Sequence, residues 1–315
     1  MAGSRDPLRL AAAVVFTLVA WASAFVVIRG LGTRLDGAPL ALGRLAAGTA
    51  ALGILLLLSR RWVRPVPREW VLLAVFGVGW FGCYNVALNL AEQVLDAGTT
   101  ALIVGIGPIL IAFGSAAILH ERIGRWLGIG VGTAFLGVAL IAIADGASLG
   151  GGVGVLGAVV AAVTYAIGVL AQKPLLGRLP GVQVTFLGCA IGFLVCLPFA
   201  GALVSQLASA SASTVPATLL GVVYLGVVPT ALAFTTWAYA LTRMTPSALS
   251  ITTYVVPVLV VGIAFLAFGE VPAPLALVGG ASSLLGVGLS RRRARVARTA
   301  PPVTETAVDL PHSDG

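Results

Sequence analysis

The sequence predicts an all-α polytopic membrane protein, ten transmembrane helices in two inverted five-helix repeats, and three observations carry that prediction. The 315 residues are 59% hydrophobic and 10% charged, with a mean hydropathy of +1.06. Soluble domains are roughly one quarter charged, so this chain cannot cover a water-facing surface and its solvent must be mostly lipid. Apolar stretches of spanning length recur along it with short joins, leaving no room for a soluble domain. One stretch also occurs twice, because Pro108 and Glu121 recur as Pro257 and Glu270, each 149 positions on. The same offset lays Leu110 on Leu259, Gly130 on Gly279, Leu136-Gly137-Val138 on Leu285-Gly286-Val287 and Leu140 on Leu289, without a gap. Self-similarity of this kind decides the architecture of the whole chain.

Ten spans follow from runs of about 20 apolar residues. They cover 8–28, 39–58, 70–90, 97–119 and 124–144, then 152–172, 182–203, 217–241, 247–268 and 272–289. The repeats are expected at 8–144 and 152–290, with 291–315 a disordered cytoplasmic tail rich in proline and scattered acids. Near the N-terminus, Arg5, Arg9 and then Ala22-Ser23-Ala24 have the look of a cleavable signal peptide. Trp21-Ala22 followed by Arg29 recurs at the same spacing as Tyr165-Ala166 followed by Lys173, however, so the first helix is expected to be retained.

Charge sets the orientation. With a cytoplasmic N-terminus, 16 of the 19 Lys and Arg fall in inside segments, and only Arg29, Arg34 and Arg44 fall around the first outer loop. The positive-inside rule then places both termini in the cytoplasm, at the plasma (inner) membrane. Five spans per repeat is an odd number, so the second repeat must start from the opposite side and run inverted. Inverted repeats that can exchange conformations are a feature of secondary transporters.

Several functions are excluded. The net charge of +8 sits in short loops rather than on a face interleaved with aromatics, which argues against nucleic acid. Cys83, Cys189 and Cys196 lie inside apolar runs as small buried hydrophobes. His120 and His312 make no zinc set, and no serine or cysteine has a plausible base, so neither an enzyme nor a metal or other cofactor is expected. Gly77, Gly79 and Gly82 match a dinucleotide fingerprint but lie within an apolar span with no strand before them.

The candidate site is neutral and aromatic. Pro108 and Pro257 fall mid-span, and each frees the carbonyl four residues back, at Val104 and Thr253. Backbone broken at that depth faces protein or a water-filled cavity, so the pair reads as a central hinge or site wall, against packing kinks alone. Thr252 and Thr253 offer local hydroxyls, and Tyr254 follows them. Trp21, Tyr84, Tyr165 and Trp237 are the aromatic candidates. Asn85 and Asn89, four apart on one helical face, must bond either a neighbouring helix or a substrate. Glu121 and Glu270 sit at span ends on opposite membrane faces, where a carboxylate is cheap, and read as gating or structural groups rather than proton carriers. Gly124, Gly128 and Gly132 form a ladder for close helix contact, within the bundle or across a homodimer.

Taken in order, these pieces resemble the EamA family of the drug/metabolite transporter superfamily over nearly all of 8–290. The matching residues are Trp21-Ala22-Ser23-Ala24-Phe25 with Arg29, Arg44 early in the second span, both Pro-to-Glu stretches and the glycine-bearing fifth and tenth spans. The resemblance implies ten helices, a central cavity and export or exchange of small metabolites such as amino acids. His120, where the family often has glycine as at Gly269, and Glu92-Gln93 depart from the pattern. The resulting expectation is a secondary active transporter working by alternating access, its substrate held near Asn85, Asn89, Tyr254, Pro108 and Pro257. A non-transporting scaffold or receptor is the alternative.

Overall fold

The computed structural model describes residues 5–118, Thr133, Leu136 and 149–290, and these form helices joined by short turns. The helices are α1 (Arg5–Leu31), α2 (Gly37–Ser59), α3 (Pro67–Glu92), α4 (Ala97–Ile118), α5 (Leu149–Leu175), α6 (Gly181–Ser209), α7 (Val215–Arg243), α8 (Pro246–Phe268) and α9 (Pro274–Ser290). Among the described residues, eight helices, α1 to α8, are long and apolar enough to cross a membrane. The expected fifth span lies outside the described residues except for Thr133 and Leu136, and with it Glu121 and the Gly124/Gly128/Gly132 ladder. The expected tail at 291–315 is likewise outside them. The expected tenth span is α9, which has 17 residues.

Local chemistry starts and stops these helices. Asp96 caps α4, its carboxylate accepting from the Thr99 amide at 2.8 Å and the Thr99 hydroxyl at 2.6 Å. Glu69 reaches back to the Val66 amide at the start of α3 and is held there by Arg178 from the α5–α6 turn. Gly269 ends α8 in the left-handed region (φ 69°), where glycine carries no Cβ penalty. Large apolar side chains stand exposed around the outside, Leu57, Leu220 and Leu266 among them. A helix apolar on its outward face as well as its inward one is placed in lipid.

Five helices are interrupted, α6 by a 3₁₀ turn at Leu197–Phe199 and the other four in two matching pairs. A π turn widens α3 at Gly77–Cys83 and α7 at Val227–Leu232. The second pair breaks at the prolines: α4 is broken between Val104 and Gly107, just ahead of Pro108, and α8 tightens to a 3₁₀ turn over Ile251–Tyr254, just ahead of Pro257. Packing repeats with the same correspondence. Helix α1 packs on α7 and α8 as α5 packs on α3 and α4, α2 lies on α7 as α6 lies on α3, and α2 meets α6 as α4 meets α8. Glycine permits the closest crossings. A Cβ on Gly77 would lie 2.8 Å from the Gly188 carbonyl, and one on Gly226 would lie 2.7 Å from the Arg44 carbonyl.

Candidate functional site

The interrupted segments meet around a central cavity. Its wall takes Trp21, Ala24 and Phe25 from α1, Arg44 from α2, Trp80, Tyr84 and Leu88 from α3, and Ala101, Val104 and Gly105 from α4. Helix α5 contributes Tyr165, α7 contributes Phe234, and α8 contributes Thr253, Val256 and Pro257. The residues four back from the two prolines, Val104 and Thr253, both line it. The Thr252 and Thr253 hydroxyls donate to the Leu249 and Ser250 carbonyls at 2.7 and 2.6 Å, satisfying backbone in the 3₁₀ turn.

Aromatic rings build most of the wall. Trp21 lies with ring centroids 4.9 Å from Trp237, 5.5 Å from Phe234, 6.0 Å from Trp80 and 6.4 Å from Tyr165. Trp80 in turn stands 4.7 Å from Phe234 and 5.0 Å from Tyr165, mostly in the edge or tilted arrangements that ring quadrupoles favour. The Trp21 indole N–H donates to the Pro229 carbonyl at 3.2 Å, inside the π turn of α7. Gly107 makes room for Tyr165, since a Cβ there would meet the Tyr165 ring at 2.4 Å. The free space within the wall is about 50 Å³, room for a few waters and far below the roughly 300–1,000 Å³ of ligand pockets. In this conformation the cage is contracted.

Arg44 is the one charged residue in the wall and is only 3% exposed. Its Nε donates to the Thr230 hydroxyl at 2.8 Å, and that hydroxyl donates to the Leu225 carbonyl at 2.8 Å across the π turn. Its Nη1 has no hydrogen-bond partner among the described residues.

One end of the bundle is tied by Arg29, at the foot of α1. Its Nε donates to Glu270 at 2.9 Å, just past α8, and its Nη1 donates to the Glu92 carbonyl at 3.1 Å, joining α1, α3 and α8. The opposite end has a counterpart, where Lys173 of α5 donates to the Leu241 and Met244 carbonyls at 2.6 and 3.0 Å.

Of the residues singled out from the sequence, Trp21, Tyr84, Tyr165, Thr253 and Pro257 line the cavity. Trp237 stands behind the wall against Trp21, and Pro108 is buried beside the break in α4. Thr252 and Tyr254 are outside the lining, in the 3₁₀ turn of α8. Asn85 and Asn89 also lie outside it. Asn85 donates to the Phe81 and Trp80 carbonyls at 2.7 and 3.4 Å, which the π turn of α3 loosens, and Asn89 donates to the Gly37 carbonyl at 2.9 Å, tying α3 to α2. Trp80, Phe234 and the role of Arg44 were not found from the sequence. A charge within the apolar run 39–58 was the available signal for Arg44, because an ionisable group inside a span is a functional candidate by default.

A polytopic helical bundle that closes broken helices around a central aromatic cavity is the architecture of a membrane carrier. The model of the EamA-like transporter family matches residues 9–143 and again 152–292, and the chain belongs to that family. It is 38% identical over 287 residues to a "Probable terminal-alkyne amino-acid exporter" of Streptantibioticus cattleyicolor, covering 89% of this chain and 93% of that protein. It is 32% identical over 272 residues to the "Uncharacterized transporter YdfC" of Bacillus subtilis, covering 85% of this chain and 86% of that one. A solved crystal structure superposes with a TM-score of 0.59 at 23% identity, covering 90% of this chain and 99% of the other, which shows a common fold. The chain is thus a secondary transporter of small metabolites and not an enzyme.

Proposed function

We propose that this transporter exports an amino acid or a closely related compound across the plasma membrane by alternating access through the central cavity. The observation that carries the proposal is the pairing of the cavity's parts. Trp21 with Tyr165, and Val104 with Thr253, bring one contribution from each half of the chain to one site. The amino-acid class is supported by the name of the 38% identical relative.

In this reading the chain has ten spans in two inverted five-helix repeats, with both termini cytoplasmic. The Arg29–Glu270 tie then closes the outer end, and the Lys173 contacts close the inner end. Rocking one set of helices against the other breaks one tie while keeping its counterpart, which exposes the site to one side at a time. Asn89 acts on that motion by tying α3 to α2, and Asn85 by bonding the loosened turn of its own helix.

Purified protein in liposomes loaded with the standard L-amino acids tests the function. Counterflow of at least one of them is expected, and none moving would sink the reading. Single cysteines at Arg34 and Arg61 test the topology. Membrane-impermeant maleimide added to whole cells should label the first and spare the second.

A further inference from the structure

We propose that Arg44 receives the carboxylate of the transported molecule, so that the substrate class is a small carboxylate-bearing compound with an apolar body. The inference rests on the reading of the central cavity as the transport site and names the chemistry that site selects.

A guanidinium carries five N–H donors in a fixed plane. Among the described residues, the hydrogen bonds of Arg44 account for one of them, Nε to Thr230, while Nη1 is buried and unpartnered. Among the described residues, the ionisable groups near enough to act on it electrostatically are Tyr84, Cys189 and Glu92. Glu92 is the one carboxylate among these, and neither of its oxygens accepts a hydrogen bond. A buried cation without a bonded counter-ion is costly and is kept where something binds to it.

The surroundings fix how that something binds. Thr230 is held by its own bond to the Leu225 carbonyl, so it acts as a fixed stop that orients the guanidinium edge. Gly48 lets α7 come this close, since a Cβ there would meet the Thr230 methyl at 2.8 Å. With Nε held by Thr230, the two Nη atoms are left to give the two parallel bonds that a carboxylate accepts once the wall opens. No Asp, Glu, Lys or His lines the cavity among the described residues, so a single negative group is matched and a second is not.

The rest of the wall suits the remainder of an amino acid. The ring faces in the wall are acceptors for an ammonium group. Trp21, Trp80 and Phe234 offer an apolar surface for the side chain.

Trp21 and Trp80 lie in the wall, so intrinsic tryptophan fluorescence in nanodiscs reports binding without requiring transport. The ligands are the standard L-amino acids and the amide of each. Binding of acids at least tenfold tighter than of their amides is expected. In Arg44→Gln that preference should disappear while the protein elutes and melts as the wild type does, and Arg44→Lys should keep part of it. Amides binding as well as acids, an unchanged preference in Arg44→Gln, or no acid binding at all would each overturn the assignment. Should Arg44→Gln fail to fold, the wild-type comparison of acid with amide and the Arg44→Lys variant still decide. Acid-selective binding with no counterflow in liposomes would leave Arg44 as a carboxylate site and remove the transport reading instead.

Discussion

The two halves of the chain bring several matching parts to the cavity, and one difference between them bears on the cargo. Trp21 and Tyr165, Val104 and Thr253, Pro108 and Pro257, and the π turns opening near Gly77 and Gly226 all have counterparts. Gly226 sits against the Arg44 carbonyl as Gly77 sits against that of Gly188, so Arg44 on α2 and Gly188 on α6 occupy corresponding places. Only one of the two places holds a charge. Around Gly188 the space is filled by the Phe76 ring, 2.5 Å from where a Cβ would stand, and by Phe81. What the halves share is the hinge and the crossing points, which an alternating motion needs in duplicate. What they do not share points toward the cargo, because a molecule with one anionic end is not matched by a symmetric pair of sites.

The comparison is broken most severely at the glycine crossings. Gly77→Leu and Gly226→Leu should each cost about 3 kcal/mol, the upper part of the usual range for overpacking, because backbone lies on the other side. Thermal melts in detergent check this, and a clear loss in one but not the other would show that the two crossings are not equivalent. In the wall, Trp21→Ala and Tyr165→Ala should each lower transport at least tenfold, or about 1.4 kcal/mol. Trp21→Ala should have the larger effect, since Trp21 contacts four other rings. Initial rates in liposomes measure both, and a wild-type rate in either would take that ring out of the site.

Asn89→Ala removes the bond to the Gly37 carbonyl and should cost about 1 kcal/mol of stability while leaving KM unchanged. A raised KM would return Asn89 to the substrate contacts. The smallest change in stability, below about 1 kcal/mol, is expected for Arg29→Gln and Lys173→Gln, which loosen partly exposed ties at opposite ends. Their effect on access should be opposite. Arg29→Gln should speed modification of a cavity cysteine by impermeant reagent from the outer side, and Lys173→Gln should speed it from the inner side. Equal labelling in the two variants would mean that these ties do not gate.

Much of this was legible in the residues. Apolar runs marked the helices, since lipid leaves few alternatives for such segments. Pro108 and Pro257 marked the breaks because a missing amide has the same effect wherever it falls. Trp21 and Tyr165 were found as aromatic residues inside apolar spans. The π turn of α3 was not legible, because nothing in Gly77–Cys83 forces a wider winding. That of α7 holds Pro229, a missing amide that was passed over in the sequence, and most of what was missed depends on these two turns. The π turn of α3 makes Asn85 a bonding partner for its own backbone, and the π turn of α7 puts Thr230 on the Arg44 Nε. Arg44, counted from the sequence with the outer loop, is drawn inside by that contact. Trp80 and Phe234 meet at 4.7 Å across 154 positions of chain, a pairing that no local periodicity carries.

The contracted cavity also affects what an affinity measurement will report. About 50 Å³ admits no metabolite, so a ligand can bind only to the fraction of molecules whose rings have parted. The measured dissociation constant is then the intrinsic one divided by that fraction. Modest apparent affinity is therefore compatible with close contacts in the occupied site, and it suits a protein that must also let its cargo go. A substitution that trims the cage, such as Phe234→Leu, can tighten apparent binding by enlarging the open population even as it removes a ring from the wall.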